Sequence, residues 1–450
     1  MAGCSFPDQW KEAIVIGIHK PGKPYNLPSS YRPISLLNSV GKIYERIILA
    51  RLKALVEVNN LLVNEQFGFR SGHSCVHQVH RTTEHILSGQ TRARLPKGTI
   101  FLDVAKAFDK VWHNGLIYKL RNSGLPDTLV HIIRDYLSNR SFRYRVDGTL
   151  SSTRPIRAGV PQGSVLSPIL FSLYTSDIPR TRATELALFA DDTAVYSTSH
   201  SPALIKARLQ SAINALGAWF RKWNITLNPD KSAAVYFSHS TRRHPGSITL
   251  YGKEIPWQPK VKYLGVILDR RLSFRLHINY IRNKAAFVRS RLYPLLCKRS
   301  KLSLRHKVTI YKTCIRPILS YASVAFAHSS PHNIARLQAI QNRFLRIASG
   351  CPWYMRNVDL HRDFKIDSIA KLFKDLSIRY FDKASQHSNP LISKASKYSP
   401  LELPYPIRRR PKHVLHDPVD RLTADNSIYT GTHNTHRPRR RGGALRTRVF

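Results

Sequence analysis

Two adjacent aspartates, Asp191 and Asp192, lie between two apolar stretches and restrict how this chain can fold. Residues 186–189 and 193–196 are apolar and β-prone, so the segment is predicted to form a hairpin with both carboxylates at its tip. Two like charges about 4 Å apart repel by roughly 4 kcal/mol at an effective dielectric near 20, so a half-buried pair needs a proton or a cation. Mg²⁺ is the hard, oxygen-seeking cation that carboxylates hold. A surface turn is the alternative, because aspartate is common in turns.

A third carboxylate, Asp103, is predicted to reach the same place. The apolar residues 99–102 predict a short strand that ends at Asp103. If the two strands are neighbours in one sheet, the three carboxylates can hold two Mg²⁺ ions roughly 3.5–4 Å apart, the arrangement used for in-line nucleotidyl transfer. Phe108 follows on a strand-to-helix turn that could aim its ring at the sugar of a nucleotide, with core packing as the alternative role.

Two glycine-flanked loops carry further candidates for ligand contact. Arg70 lies between Gly68 and Gly72, where its guanidinium suits bidentate contact with phosphate, and an ordinary solvated arginine is the alternative. Gln162 precedes Gly163, and glycines around it permit close approach of a ligand to the backbone.

The charge of the chain indicates a polyanionic partner. The formal net charge of +45 comes from 72 Lys and Arg against 27 Asp and Glu, far more than solubility requires, and nucleic acid is the favoured partner. An anionic membrane is the alternative, but no apolar run of about 18 residues and no signal-peptide pattern occurs. The five cysteines include no C-x-x-C pair, which favours a reducing compartment and argues against structural zinc.

Hydrophobic periodicity gives further local expectations. A helix is predicted over residues 40–56, with Ile43, Ile47 and Leu52 facing the core. Residues 228–231 are predicted to form a turn before a strand at 233–237, and residues 261–268 to form one continuous strand.

Five segments, taken in order, resemble the motifs of reverse transcriptases. Three resemble the successive palm motifs: Phe-Leu-Asp-Val-Ala-Lys-Ala-Phe-Asp at 101–109, Gly-Val-Pro-Gln-Gly-Ser-Val-Leu-Ser-Pro at 159–168 and Phe-Ala-Asp-Asp at 189–192. Tyr-Arg-Pro-Ile-Ser-Leu at 31–36 and Gln-Phe-Gly-Phe-Arg-Ser at 66–71 resemble the fingers motifs of non-LTR, LINE-type retrotransposon enzymes, jockey-like elements in particular. The resemblance extends from about residue 10 to about residue 350.

This resemblance implies an α+β, right-hand polymerase fold. Fingers, incomplete at the N-terminus and including part of the palm, would occupy residues 1–98, and an antiparallel-sheet palm with the catalytic motifs and primer grip would occupy 99–275. A helical, thumb-like lobe would follow at 276–388, and a basic, flexible tail at 389–450. The implied activity is RNA-directed DNA synthesis in retrotransposition, with an RNA template, a DNA primer, dNTPs and two Mg²⁺ ions, for which Mn²⁺ could substitute.

The resemblance also assigns roles to individual residues. It assigns metal binding and catalysis to Asp103, Asp191 and Asp192, and protonation of pyrophosphate to Lys231. It assigns nucleotide and template contact to Arg32, Arg70, Phe108, Gln162 and Gly163, where Phe108 is the steric gate against a 2′-hydroxyl and Arg70 grips the triphosphate. The primer-grip strand is assigned to Tyr263, Leu264 and Gly265.

The chain also departs from the family pattern. Family members usually carry an endonuclease domain before the polymerase, whereas this sequence opens inside the fingers region and has no C-terminal Cys-His knuckle. We therefore expect a polymerase segment that does not nick DNA by itself, with any partner protein that supplies an endonuclease unidentified. The expected location is the nucleus, with the cytoplasm as the alternative, and no secretion or membrane signal is present.

Two other functions are compatible with the sequence. One is a catalytically silent, truncated remnant of a retroelement that binds nucleic acid through charge. The other is a group II intron-type maturase, although no recognisable maturation segment follows the thumb-like lobe.

Overall fold

The computed structural model describes residues 5–92, 95–238, 245–399 and 409–418. The strands are β1 (Glu12–His19), β2 (Tyr31–Leu36), β3 (Lys97–Ala105), β4 (Ser141–Val146), β5 (Thr149–Leu150), β6 (Arg154–Pro155), β7 (Glu185–Phe189), β8 (Asp192–Thr198), β9 (Thr226–Phe237), β10 (Ile248–Leu250), β11 (Lys253–Ile255), β12 (Lys260–Tyr263) and β13 (Val266–Asp269). The helices of the first half are α1 (Ser39–Val58), α2 (Cys75–Arg92), α3 (His113–Asn122), α4 (Asp127–Leu137), α5 (Ser167–Tyr174) and α6 (Pro202–Lys222).

The second half of the chain is mainly helical. Its helices are α7 (Arg275–Arg291), α8 (Tyr293–Leu296), α9 (Leu304–Ile310), α10 (Arg316–Ser320), α11 (Ser323–Phe326), α12 (Pro331–Ser349), α13 (Asn357–Phe364), α14 (Ile369–Ser385) and α15 (Pro390–Ser396), and a π-helical turn, Tyr311–Ile315, joins α9 to α10. The sheets are largely antiparallel, six of the described helices lie among their strands in the first half of the chain, and the second half adds a mainly helical part, which confirms the predicted α+β class.

A four-stranded antiparallel sheet with the order β7-β8-β3-β9 forms the centre of the molecule. Residues of β3 alternate between two cores, with Ile100 and Leu102 in the core that includes α6 and Phe101 in the core that includes α2 and the C-terminal helices. Both faces of β3 are covered, which explains why its sequence is a continuous apolar run. The predicted hairpin is confirmed: β7 and β8 pair antiparallel, and the chain turns through Ala190, which has a left-handed φ of 55°.

A second sheet lies beside it, with the order β2-β1-β4-β5 and β6 paired to β4. Strands β1 and β4 run parallel, and the other pairs are antiparallel. Asp147 and Gly148 both have positive φ in the turn between β4 and β5, as a two-residue hairpin turn requires.

The predicted core face of α1 is wrong in part. Leu52 is buried as expected, but Ile43 and Ile47 are 57% and 47% exposed, and the buried face carries Glu45 and Ile48 instead. Apolar residues occur on more than one side of this helix, so the helical period alone does not determine which side is packed. The contacts made by the buried Glu45 carboxylate determine which side of the helix is packed.

Two strand predictions are also corrected. The expected single strand at 261–268 is a hairpin, because Leu264 (φ 44°) and Gly265 (φ 84°) form a left-handed two-residue turn between β12 and β13. The expected turn at 228–231 lies inside β9, where the pairing with β3 shifts register between Asn228 and Ala233. A bulge tolerates Pro229, because the residue there does not have to donate a ladder hydrogen bond.

Part of the expected flexible tail, 389–450, is folded. Ile392 of α15 is buried beside Phe67, and Arg410 is buried in an ion pair with Glu84 of α2. Burial raises the pKa of Glu84 to about 7 despite the opposing charge of Arg410. The arginine-rich cluster at 437–441 lies outside the described residues.

The described residues also bear on the expectations about membrane spans and cysteines. None of the described helices combines the length and apolarity needed to cross a membrane. The four cysteines at positions 75, 297, 314 and 351 are free of disulfides, and Cys4 lies outside the described residues.

Candidate active site at the end of the central sheet

Three carboxylates meet at one end of the central sheet. In the antiparallel pairing of β3 with β8, Leu102 lies opposite Thr193, so Asp103 and Asp192 follow at the same sheet end, and Asp191 is in the adjoining turn. Desolvation by the surrounding protein, followed by the charges of Asp191 and Asp103, raises the pKa of Asp192 to about 6. Desolvation and the charge of Asp103 also raise the pKa of Asp191. The site therefore concentrates negative charge that a cation would stabilise.

The donor set fits a divalent cation that substrate helps to hold. In the described ranges, no three His, Cys, Asp or Glu side chains are close enough to form a metal site by themselves. Mg²⁺ is usually bound by only one or two carboxylates together with water and substrate phosphates. Asp103, Asp191 and Asp192 are the carboxylates that would hold such an ion, with the remaining coordination positions left to water and a nucleotide.

Lys231 lies beside these carboxylates. Its Nζ is 3.7 Å from Oδ2 of Asp103, and both side chains are solvent-exposed. The bulge in β9 positions it, because Ser232 Oγ donates to the Asn228 carbonyl at 2.7 Å and accepts a hydrogen bond from the Asp103 N–H at 3.2 Å. The sequence-predicted Lys231 is therefore brought to Asp103, although the local structure is a bulged strand rather than a turn.

The loop before α2 supports the turn that carries Asp191. Gln66 is buried, and its Oε1 accepts hydrogen bonds from the backbone N–H groups of Gly68 at 2.9 Å and Ala190 at 3.0 Å. The Phe67 N–H donates to the Leu188 carbonyl at 2.9 Å. A Cβ on Gly68 would lie 2.2 Å from the Ala190 nitrogen, so only glycine allows this approach.

Gln66 is a positioning residue that the sequence analysis did not identify. Its side chain satisfies the N–H of a left-handed alanine, a conformation that costs free energy for a residue other than glycine. Its place in the glycine-containing segment 66–71, which resembles a fingers motif, was the signal in the sequence, and it does not reveal a partner 124 residues away.

Phe108 lies in an aromatic cluster near this loop. Its ring stacks on Phe171 with the centroids 4.9 Å apart and contacts Phe69 edge-to-face at 5.9 Å. Phe108 is half-buried, so its ring packs against its neighbours while part of its surface remains exposed. Arg70, next to Phe69, donates from Nη1 to the Val63 carbonyl at 3.1 Å, and burial lowers the pKa of its guanidinium.

Hydrogen bonds connect the Gln162 loop to Asp109 and to Ser35. Gln162 Nε2 donates to Oδ1 of Asp109 at 2.8 Å, and the Gln162 carbonyl accepts from the Ser35 N–H at 2.7 Å. Gly163 has a φ of 128°, and a Cβ there would lie 2.5 Å from the Ser35 carbonyl oxygen. Arg32 is on the same strand as Ser35, but its exposed side chain makes no hydrogen bond or ion pair with any described residue.

A buried carboxylate holds the residues after this loop. Glu45 is 1% exposed, and its Oε2 accepts from Ser164 Oγ at 2.7 Å and from the N–H groups of Val165 at 2.6 Å and Leu166 at 3.2 Å. The Tyr136 hydroxyl donates to Ser164 Oγ at 2.6 Å, and burial together with the Glu45 charge raises the pKa of Tyr136 to about 12. The sequence analysis missed Glu45, since its contacts lie more than 110 residues away.

We expect Glu45→Gln to lower the free energy of unfolding by about 2 kcal/mol, because hydrogen bonds to a buried charge are replaced by bonds to a neutral amide. Chemical denaturation measures the change. Glu57→Gln on the same helix, with its exposed side chain, is the matched control and should change stability by less than about 0.5 kcal/mol. Equal stabilities for the parent and Glu45→Gln would contradict a supporting role for this carboxylate.

The predicted primer-grip residues form the tip of the β12–β13 hairpin. Tyr263 is buried against Phe101, with ring centroids 5.0 Å apart, and desolvation together with the Asp192 charge raises its pKa. The Leu264 carbonyl accepts a hydrogen bond from the Tyr321 hydroxyl at 3.0 Å, and the Tyr321 ring lies against Gly265. These residues are thus near the carboxylates, but as a turn and not as the expected strand.

Comparisons with known proteins bear on this site. A family model described as reverse transcriptase (RNA-dependent DNA polymerase) matches residues 18–268. The chain is 40% identical over 400 residues to a probable RNA-directed DNA polymerase from transposon X-element of Drosophila melanogaster, an alignment that covers 88% of this chain and 44% of that protein. It is 39% identical over 397 residues to the RNA-directed DNA polymerase from mobile element jockey of the same species, covering 86% of this chain and 43% of that protein.

This chain therefore spans less than half the length of these two curated relatives. Among solved structures, it is similar to a telomerase from Candida tropicalis in complex with a fragment of telomeric RNA. The TM-score is 0.42 at 11% sequence identity, with 86% of this chain and 64% of that chain covered.

Proposed function

This chain belongs to the reverse transcriptase (RNA-dependent DNA polymerase) family, and from that premise we propose that it catalyses RNA-directed DNA synthesis. Its α+β architecture agrees with the right-hand polymerase fold of the family. The observation that carries the proposal is the meeting of Asp103 with Asp191 and Asp192 at the end of two paired strands. The reaction is nucleotidyl transfer from a dNTP to the 3′ end of a DNA primer on an RNA template.

Within this proposal, Asp103, Asp191 and Asp192 hold two Mg²⁺ ions, which Mn²⁺ could replace. When bound, such ions lower the pKa of the attacking hydroxyl and stabilise the leaving pyrophosphate. The raised pKa values of Asp191 and Asp192 support this assignment, because bound cations would offset both the desolvation and the mutual repulsion that raise them.

The remaining predicted residues act on the nucleotide and the primer. In this proposal Lys231, whose Nζ is 3.7 Å from Asp103 Oδ2, gives a proton to pyrophosphate. Arg70 and Arg32 contact phosphate groups, and the Gln162–Gly163 loop contacts the nucleotide and the template. The hairpin tip at Tyr263, Leu264 and Gly265 holds the primer. We assign fingers to residues 1–98, palm to 99–275 and thumb to 276–388, with 389–418 packed against the fingers where described.

The wider setting of the reaction is retrotransposition. The net charge of +45 suits an RNA template and a DNA primer as partners. Because chromosomal DNA would be the target, we propose the nucleus as the working compartment, with the cytoplasm as the alternative. An endonuclease activity would come from a partner protein or from another part of a longer product.

Primer extension by the purified chain tests the proposal. We expect a DNA primer annealed to RNA to be extended only when dNTPs and Mg²⁺ are both present, and extension to stop when the metal is chelated. Binding of the primer–template without any extension would contradict the proposal and favour the catalytically silent remnant. Salt-dependent binding alone does not separate the two functions, since both require the basic surface.

We expect Phe108→Ala to admit ribonucleotides, reducing the preference for dNTPs over NTPs by about 10-fold or more. The physical reason is the space that opens when the ring beside Phe69 and Phe171 is removed. Single-nucleotide incorporation with each substrate measures the preference. Phe287→Ala, at a 59% exposed position on α7, is the matched control and should leave the preference unchanged. An unchanged ratio in Phe108→Ala would assign the ring to packing alone.

A further inference from the structure

The turn between α14 and α15, at residues 386–389, contacts the same segment that supports the Asp191 turn. The two residues that make these contacts, His387 and Asn389, lie outside residues 18–268, which the family model matches. Their hydrogen bonds to segment 64–73 join residues that are 315 to 325 positions apart in the sequence. The C-terminal part of the chain therefore reaches the support of the candidate active site.

Asn389 is only 3% exposed, and both ends of its side-chain amide are hydrogen-bonded. Its Oδ1 accepts from the Leu391 N–H at 2.9 Å and caps α15. Its Nδ2 donates to the Asn64 carbonyl at 2.9 Å and to Nε2 of His73 at 3.0 Å. Because the cap fixes the orientation of the amide, its nitrogen has to face segment 64–73. One side chain therefore both starts α15 and holds that segment.

Two histidines complete the contact, each in a single neutral form. The Asn389 N–H donates to Nδ1 of His387 at 2.9 Å, so Nε2 of His387 donates to the Gly72 carbonyl at 3.1 Å. Nε2 of His73 accepts from Asn389, so its Nδ1 donates to the Ser71 carbonyl at 2.8 Å. Burial lowers the pKa of His73, in agreement with a neutral ring. Together, the hydrogen bonds of Asn389 and His387 to residues 64–73 form what we call the C-terminal tie.

A small apolar cluster accompanies the C-terminal tie. Phe67 is 1% exposed and packs with Ala384 of α14 and Ile392 of α15. Phe189, which directly precedes the left-handed Ala190, is a partly buried member of the same cluster. Apolar burial stabilises this contact but has no directional preference, so the hydrogen bonds of the tie determine where the segment lies.

The segment passes this support on to the turn between β7 and β8. Asn64, which Asn389 holds, is two residues before Gln66. Between them, the Glu65 carbonyl accepts from the Leu188 N–H at 3.1 Å, and Gln66 forms a parallel bridge with Leu188. The segment thus lies along the edge of β7, and Gln66 at its end accepts the hydrogen bond from the turn itself.

We propose that Asn389 and His387 are positioning residues that hold segment 64–73 against β7 and thereby keep the turn that carries Asp191 in place. Neither residue touches the carboxylates, so their effect is exerted through Gln66. Loss of the Asn389 amide would leave a backbone carbonyl and an imidazole nitrogen without their donor, and buried groups of this kind are costly to leave unpaired. Only the catalytic consequence rests on the proposed function, because the tie itself is a property of the fold.

The test compares two single variants of the full chain. Asn389→Ser keeps a side-chain oxygen that can cap α15 and removes both amide hydrogen bonds to segment 64–73. Ser368→Ala is the matched control, because it removes the buried N-cap of α14, whose Oγ accepts from the Lys371 N–H at 3.1 Å. Ser368 makes no hydrogen bond to the described residues 64–73, so the control loses a cap without losing the tie.

Amide hydrogen exchange measures the tie without any catalysis. The N–H groups of Phe67 and Ala190 report on the supported turn, and the N–H of Ile100, in the buried strand β3, reports on global unfolding. We expect Asn389→Ser to exchange at least about 10-fold faster at Phe67 and Ala190, with Ile100 unchanged. Ser368→Ala should leave the ratio between the two regions as it is in the parent. Equal acceleration at all three amides, or none, would overturn the proposal.

Primer extension measures the catalytic consequence. We expect Asn389→Ser to lower kcat by about 10-fold and to leave the KM for the primer–template within about 2-fold, because the turn moves while the basic surface is unchanged. Ser368→Ala should retain both values. A normal kcat in Asn389→Ser would overturn the positioning role. A parent chain that extends no primer would reject the proposed polymerase activity, and the exchange ratio alone would then support or overturn the tie.

Discussion

Replacing Asp191 with alanine is expected to lower Mg²⁺-dependent primer extension by at least about 1,000-fold, because the variant loses one of the carboxylates that we propose bind the ions that stabilise the transition state. The comparison is between parent and variant rates on the same RNA template with excess Mg²⁺. Asp230→Ala is the matched control. Asp230 is exposed and forms only a 3.5 Å surface ion pair with Lys253, so its removal should leave the rate within about 2-fold.

Unfolding does not explain that loss. The pKa of Asp192 is about 6, above its ordinary value of 3.8, and the pKa of Asp191 is also raised, so deprotonation of these groups costs stability as the pH rises through the folded pKa. Removing one carboxylate relieves the repulsion. Asp191→Ala should therefore melt at the same or a higher temperature than the parent at pH 7. A variant that retains extension would remove Asp191 from the metal site.

Gly68→Ala is expected to reduce primer extension by about 100-fold and to destabilise the fold by about 3 kcal/mol. The added Cβ would lie 2.2 Å from the Ala190 nitrogen and 2.9 Å from the Phe189 carbonyl carbon, both of which are backbone atoms. Because the backbone cannot move aside as a side chain can, the turn that carries Asp191 must shift. The rate and the melting temperature, measured on the same preparation, test both parts of this prediction.

Gly246→Ala provides the control for Gly68→Ala. A Cβ on Gly246 meets only the flexible end of Lys206, with Nζ at 3.2 Å, so this substitution should change neither property appreciably. Normal activity in Gly68→Ala would show that the loop at 66–72 and the turn that carries Asp191 can separate without consequence, and the support we assign to Gln66 would then be unnecessary.

Local sequence was sufficient where the structure depends on neighbours in the chain. The apolar, β-prone stretches on both sides of Asp191 and Asp192 predicted the β7–β8 hairpin, and the apolar run ending at Asp103 predicted β3. The same reasoning failed at residues 261–268. The largely apolar pattern continues on both sides of the glycine turn, so the pattern alone does not show where one strand ends and the next begins. It also failed at Ile43 and Ile47, since two faces of α1 satisfy the helical period equally well.

By itself, then, the sequence determined the three carboxylates, the order of the motifs around them and the strongly basic character of the chain. Tertiary structure alone decided that Gln66 and Gly68 hold the turn that carries Asp191, and that Glu45 supports the loop after Gln162. The physical reason is sequence separation. Periodicity and turn chemistry act over a few residues, whereas these contacts join segments more than 110 residues apart, and only the packed chain brings their atoms together.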